Sequence, residues 1–284
     1  MKQLLVLSGK GGTGKTTIAN QLIKLSHTKV FADCDVEAPN LHLMYQNHLK
    51  YTVPYYGLKK ATIDDQKCLN CGLCKTHCRF NAIDHINGSY VINPYQCEGC
   101  GVCGLVCPIQ AIHFNESLDG QIEVYQDDYS FSTGKLKMGS GNSGLLVTEV
   151  KKQINLDDHG LAIIDGPPGI GCPVIASMTK VDYILMVTEP SMSGFSDLKR
   201  LIGTARKTHI PFGVCINKFN LNLEISRKIG QYLEEEKIDH LGCVEYNQSL
   251  AQDSYHQSSV HATSDIDDQI FSIYQKVQSI LFNA

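Results

Sequence analysis

The sequence predicts an α/β fold: a mostly parallel sheet covered by helices on both faces, interrupted by a small inserted α+β module. Three observations lead there. Short apolar runs alternate with longer helical stretches, a glycine-rich loop follows the first apolar run, and eight of the twelve cysteines crowd into 68–107 as an internal repeat. Strands that are apolar on both sides and separated by helices are what a parallel sheet buried between two helix layers requires.

In chain order, the expected strands are Leu4–Leu7, Val30–Ala32, Leu161–Ile164, Tyr183–Val187, Phe212–Ile216 and Leu241–Val244. The expected helices are Thr16–Ser26, Ser143–Ile154, Ser196–Thr208, Leu223–Lys237 and Ile266–Leu281. From about Ala61 to Phe114 the rhythm breaks. Cys68–Ile83 is repeated by Cys97–Ile112 at an offset of 29 residues. The organisation expected is a main domain in two parts, 1–58 and 117–284, with an insert over 59–116. Gln121–Gly144, Gly- and Ser-rich near its end, is read as the segment that returns the chain to the main domain.

A length of 284 residues holds one large α/β domain with a small module. A net charge of −4 offers no polyanion-binding surface, so nucleic acid is not expected as a partner. No apolar run has the length of a membrane span and no leader pattern precedes the first strand, so a cytoplasmic protein with no membrane partner is expected. The last helix has core spacing at Ile266, Ile270, Ile273, Val277 and Leu281 and an acidic start, unlike a basic membrane-binding helix. Clustered cysteines without an export signal argue for metal binding, not for disulfides. The scattered Cys34, Cys172, Cys215 and Cys243 are by default small core residues.

Gly9-Lys10-Gly11-Gly12-Thr13-Gly14-Lys15-Thr16 fits the phosphate-loop pattern G-x-x-x-x-G-K-[ST] between a strand and a helix. Glycines let backbone N–H groups close around phosphate oxygens, and the helix N-terminus adds the positive end of its dipole. Lys15 would reach the β- and γ-phosphates and Thr16 would hold Mg²⁺.

With its second lysine, Lys10, the run Gly9–Thr17 resembles the signature of the deviant Walker-A ATPases. That family includes the MinD- and ParA-type cell-division and partition ATPases, the Mrp-type iron–sulfur carriers and the nitrogenase iron protein. The resemblance covers essentially the whole chain. It implies a nucleotide-sandwiched dimer, formed with a second copy or with a paralogue, in which Lys10 reaches the partner's phosphates. Ala32-Asp33-Cys34-Asp35 looks like the first switch, with Asp35 positioning the attacking water and Asp33 near Mg²⁺. Ile163-Ile164-Asp165-Gly166-Pro167-Pro168-Gly169 looks like Walker B and the second switch, with Asp165 behind Mg²⁺. The family uses an Asn-Lys pair near adenine, here Asn217-Lys218. Position 220 is Asn, where a guanine site would carry Asp, so ATP is expected over GTP. Lys10, Lys15 and Asp35 are the catalytic candidates, and Thr17 completes the nucleotide-binding run.

Each cysteine repeat reads C-x₂-C-x₂-C-x₃-C. In two-cluster ferredoxins the fourth cysteine of each run serves the other cluster. That assigns Cys68, Cys71, Cys74 and Cys107 to one [4Fe–4S] cluster, and Cys97, Cys100, Cys103 and Cys78 to the second. Structural zinc sites usually use two separated cysteine pairs. Pro108 follows the second run, whereas Arg79 follows the first and places a cation near the second cluster. His77 and His85 lie off the ligand pattern and read as surface residues.

The combination resembles deviant Walker-A ATPases with an inserted ferredoxin-like domain, through Lys59-Lys60-Ala61-Thr62-Ile63-Asp64 and Cys97-Glu98-Gly99-Cys100-Gly101 as well. This group is often labelled CobQ-like, after cobyrinic acid a,c-diamide synthases, but no glutaminase-like domain is present here. Cys172 falls where the nitrogenase iron protein has one cluster ligand. The place of the other, near Gly139–Gly144, holds Ser140, so Cys172 reads as a small buried residue before it reads as a ligand. The function expected first is ATP hydrolysis that gates electron transfer from the clusters to a redox acceptor. A carrier that hands a cofactor to an apo-protein and a positioning or partition ATPase are the alternatives.

Overall fold

A computed structural model describes residues 1–45, 48–154, 160–247 and 265–282. The chain opens with β1 (Lys2–Ser8), the glycine-rich loop, α1 (Lys15–Ser26) and β2 (Val30–Asp33). After β3 (Leu49–Tyr56) come β4 (Lys60–Ile63), α2 (Leu73–Thr76), β5 (Ile83–Ile86), β6 (Ser89–Ile92), α3 (Val102–Val106) and β7 (Ile112–Asn115). The chain then runs through β8 (Leu118–Gln126), β9 (Ser130–Leu136), α4 (Ser143–Lys152), β10 (Leu161–Pro168) and α5 (Cys172–Ser177). It ends with β11 (Tyr183–Thr188), α6 (Met192–Ala205), β12 (Phe212–Asn217), α7 (Leu223–Glu235), β13 (Asp239–Val244) and α8 (Asp265–Phe282).

Nine strands form one sheet in the order β13-β12-β11-β1-β10-β2-β9-β8-β3. Every pairing from β13 to β9 is parallel, while β9 with β8 and β8 with β3 are antiparallel. Alternation along the central strands splits the core in two. Leu5, Leu7, Ile164, Ile184 and Met186 point to one side, where α4, α6 and α7 supply Leu146, Leu198, Leu201 and Ile229. Leu4, Val6, Ile163 and Leu185 point to the other, against Ile18 and Leu22 of α1 and Ile270, Ile273 and Val277 of α8. The spacing of α8 thus serves the core. No helix among the described residues is long and apolar enough to cross a membrane.

All six expected strands and five expected helices are present, with ends shifted by a few residues. Among the helices, the start that shifts most is that of α6, at Met192, not Ser196, because the Ser191 hydroxyl caps it by accepting from Gly194 N–H at 3.0 Å. Gln121–Gly144 is more than a connector. It holds most of β8 and all of β9, which extend the sheet. On its face toward α4, β9 carries the small residues Ser132 and Gly134 because α4 packs tightly there. A Cβ at Gly134 would stand 2.6 Å from Val150 Cγ2.

Residues 57–117 leave and rejoin the sheet between adjacent strands, since Tyr56 is paired with Leu118. Inside this excursion β4 pairs with β7 and β5 with β6, both antiparallel. The 29-residue repeat carries β4 onto β6 and β5 onto β7, so the segment is internally two-fold.

Ile163 sits fully buried in β10 between β1 and β2, facing α1. I163A is expected to cost about 2–5 kcal/mol. Chemical denaturation should show an earlier midpoint with an unchanged slope.

Candidate functional site

The glycine-rich loop joins the end of β1 to the start of α1, at the carboxyl edge of the sheet, where open α/β sheets bind ligands. Two glycines there cannot be replaced. Gly14 has φ +86°, and a Cβ on it would lie 2.2 Å from Asn217 Nδ2. A Cβ on Gly9 would lie 2.6 Å from the carbonyl carbon of Asp197. Gly11 and Gly12 are exposed with open space above them, and Thr13 is buried.

Lys15 is buried and its ammonium donates to Asp165 Oδ1. Thr16 Oγ1 donates to Asp165 Oδ2 at 2.7 Å, so one carboxylate at the end of β10 holds both functional side chains of the loop. Thr17, half-buried, occupies the next helical position. Asn217 does something the resemblance did not suggest: its amide donates to Thr13 O at 2.8 Å and so braces the loop. Lys218 Nζ adds a 2.7 Å bond to Gly12 O.

Within this one chain Lys10 is engaged with groups at the end of β11. Its Nζ lies 2.7 Å from Glu189 Oε1 and donates to Ser191 Oγ at 3.2 Å and Ser193 Oγ at 2.9 Å. Lys218 reaches the second oxygen of Glu189 at 3.3 Å. Burial alone would raise the Glu189 carboxyl, but the two lysines hold it below the usual range. The sequence reading missed Glu189, Ser191 and Ser193. The available signal was their position directly after a buried parallel strand, as with Asp33 and Asp165.

The two aspartates of the first switch differ. Asp33 is fully buried and accepts from the backbone N–H groups of Asp35, Asn40 and Leu41, each at 3.0 Å. It organises the loop after β2. Burial, with Asp165 next in effect, pushes its carboxyl up to about 7, against the pull of Lys15 and those N–H donors. Asp35 is less buried, and desolvation raises its carboxyl.

In the excursion, Cys68, Cys71, Cys74 and Cys107 line one small hollow. Cys78, Cys97, Cys100 and Cys103 line another. Apolar side chains fill out the walls, among them Ile63, Ile109 and Ile112 in the first and Ala61, Ile83 and Phe114 in the second. Ala111 N–H donates to Cys107 Sγ at 3.3 Å. His77 and His85 are exposed. Among the described residues, no group of three or more His, Cys, Asp or Glu side chains is placed to hold a metal ion.

Of the scattered cysteines, Cys34 and Cys215 are buried and Cys243 is half-buried. Cys172 corrects the expectation of a buried core residue: it is exposed, at the first position of α5 just past the second switch. Its backbone abuts Gly144, whose Cβ would meet Cys172 O at 3.1 Å. Ser140 points instead toward Asp119, at 3.4 Å.

A family model described as the CobQ/CobB/MinD/ParA nucleotide binding domain matches residues 4–260. The chain is 36% identical over 223 residues to the Methanocaldococcus jannaschii protein MJ0578, described as uncharacterized, spanning 78% of this chain and 79% of that one. A second protein of that organism, MJ0579, also described as uncharacterized, is 28% identical over 227 residues, 78% of this chain and 82% of its own. In fold the chain is similar to the cell-division ATPase MinD of Pyrococcus furiosus (TM-score 0.55, 16% identity, 98% and 99% coverage). MinD of Pyrococcus horikoshii, complexed with Mg-ADP, is comparable (TM-score 0.56, 15% identity, 99% and 98%). So is a plasmid partition protein of Borrelia burgdorferi bound to AMPPNP (TM-score 0.57, 13% identity, 98% and 99%).

A hydrogen bond to a charged group contributes about 1.5–3 kcal/mol. Above the Asp33 value of about 7, where the carboxylate is ionised, D33N is therefore expected to speed amide hydrogen exchange at Asp35, Asn40 and Leu41 by about tenfold or more, since ~1.4 kcal/mol is a factor of ten, and the difference should shrink as the pH falls below 7. Amides in β11 and β12 should keep wild-type rates.

Proposed function

This chain belongs to the CobQ/CobB/MinD/ParA nucleotide-binding family, and on that premise we propose that it is an ATPase of the MinD/ParA type that works as a nucleotide-controlled switch. The observation that carries this reading is the convergence of Lys15 and Thr16 on Asp165 beneath the glycine-rich loop. In the proposed cycle, backbone N–H groups of Gly9–Thr17 would cradle the phosphates, Lys15 would neutralise them, Thr16 with Asp165 behind it would hold Mg²⁺, and Asp35 would orient water. Lys10 leaves Glu189 to reach the nucleotide of a second copy or a paralogue. Phosphoryl transfer asks little of the protein beyond placement and charge neutralisation, and these residues supply both. Loops that answer to the γ-phosphate are a natural two-state element.

We further propose that the cysteine segment holds two [4Fe–4S] clusters. Supporting this is the sorting of eight cysteines into two apolar-walled cavities, four to each. The C-x₂-C-x₂-C-x₃-C spacing of both runs is the one such clusters use, whereas structural zinc sites usually take two separated cysteine pairs. Four thiols spread around a cavity suit a cluster with several irons. When bound, each cluster would take up and release one electron.

Three outputs are open to this arrangement. The similar folds belong to cell-division and partition ATPases, so the comparisons favour nucleotide-controlled association with a partner. Electron transfer to a redox acceptor is the second reading, favoured by the cavities alone. Delivery of a cofactor to an apo-protein would need an accessible transfer ligand, for which the exposed Cys172 is available.

Purified protein should hydrolyse ATP in preference to GTP and associate in Mg-ATP but not Mg-ADP when followed by sedimentation. K15A and K10A should each lower turnover by about 10³-fold, the scale on which a cation at the transferring phosphate acts. Turnover unaffected by K15A would overturn the assignment. Anaerobically prepared protein should carry about eight irons and eight acid-labile sulfides per chain, the content of two [4Fe–4S] clusters.

A further inference from the structure

We propose that Lys60 sets the two cysteine sites apart electrically, making the site lined by Cys78, Cys97, Cys100 and Cys103 the one more easily reduced. This rests on the cluster reading above. Lys60 opens β4 and is only 9% exposed. Its Nζ donates to the carbonyl of Cys97 at 2.5 Å. Among the described residues no carboxylate forms an ion pair with it. A buried ammonium with no counter-charge is costly, so its position calls for negative charge close by. The backbone is pressed against this place as well: a Cβ on Gly99 would lie 2.7 Å from Lys59 O and 2.8 Å from Leu58 Cβ.

The internal repeat supplies the control. The 29-residue offset that maps Cys97 to Cys68 maps Lys60 to Ser89 and Ala61 to Tyr90. Ala61 lines the second cavity and Tyr90 lines the first, so the two-fold relation holds in space. The first site therefore has an uncharged serine where the second has a buried cation. No charged residue lines the first cavity. Glu98 lines the second but is half-exposed, and Arg79, beside Cys78, is exposed, so solvent screens both more than Lys60.

A thiolate-bound iron–sulfur site carries net negative charge, and its potential follows charge, hydrogen bonds and solvent exposure. One added electron makes the site more negative, with no bond made or broken. A fixed cation in a low-dielectric setting favours that form. The electron thus rests on the side of the excursion where Tyr95 and Glu98 lie against Gly139 and Gly141 of the main body.

The test is an EPR-monitored titration of the full chain with dithionite under anaerobic conditions, comparing wild type, K60M and K60R. Methionine keeps an unbranched, adaptable side chain without the charge. K60M should disfavour reduction of one couple by at least tenfold, about 59 mV for one electron, and leave the other in place. K60R should hold both near wild type. Two unmoved couples in K60M at full iron content would overturn the proposal. If K60M loses its iron, the wild-type order decides, with C71S and C100S each removing one signal. The couple lost in C100S must then be the more positive, and the reverse order overturns the proposal. Wild-type protein that hydrolyses ATP but binds no iron and sulfide would sink the cluster reading itself.

Discussion

The buried pair between Lys15 and Asp165 is the constraint on which the nucleotide-binding part of the molecule rests. It joins the start of α1 to the end of β10, two elements far apart in sequence, at the carboxyl edge of the sheet's centre. Charges this deep are tolerated only when fully partnered, and a buried pair broken on one side costs several kcal/mol. Asp165 meets that condition through Thr16 as well as Lys15, and its backbone carbonyl accepts from Cys34 N–H at 2.7 Å. Asp33, the neighbour of Asp165 across the β2–β10 pairing, turns its own carboxylate to the loop that follows it. The strand ends thus form a row in which each acidic group has a separate task.

The lysines extend that row. Lys10 and Lys218 share the two oxygens of Glu189, so the loop after β1, the loop after β11 and the loop after β12 meet at one carboxylate. Movement of Lys10 away from Glu189 would leave Lys218 as its remaining cation and reweight every contact in the cluster. Such a junction ties the position of the loop to the ends of three parallel strands instead of to one side chain.

Much of this was legible in the sequence, and the reasons divide by range. The phosphate loop and the cysteine runs are short patterns whose chemistry fixes the spacing, so residues alone locate them. The central strands announce themselves because burial on both faces leaves continuous apolar runs. β3, β8 and β9 were hidden. β3 and β8 pair across a gap of some sixty residues (Tyr56 with Leu118), and β9 reads Ser130-Phe131-Ser132-Thr133-Gly134, which looks like loop. Ser132 and Gly134 are there because α4 sits close, a fact of packing that no local pattern carries. The roles of Asp33, Asn217 and Lys60 were hidden for a similar reason, since each depends on a backbone group that only folding brings near. The exposure of Cys172 likewise depends on where α5 begins.

The way residues 57–117 join the sheet has an evolutionary consequence. Gly57 N–H bonds Ser117 O at 3.2 Å, so the two ends of the excursion stand side by side like the stem of a hairpin. Such a graft asks of its host two neighbouring antiparallel strands at the sheet margin and the small residues Gly139 and Gly141, against which Tyr95 and Glu98 lie. An ancestral hairpin turn could be exchanged for the whole cysteine-bearing segment without disturbing a single parallel pairing. The lineage could therefore acquire, duplicate internally or discard that segment while the nucleotide machinery remained under its own, separate selection.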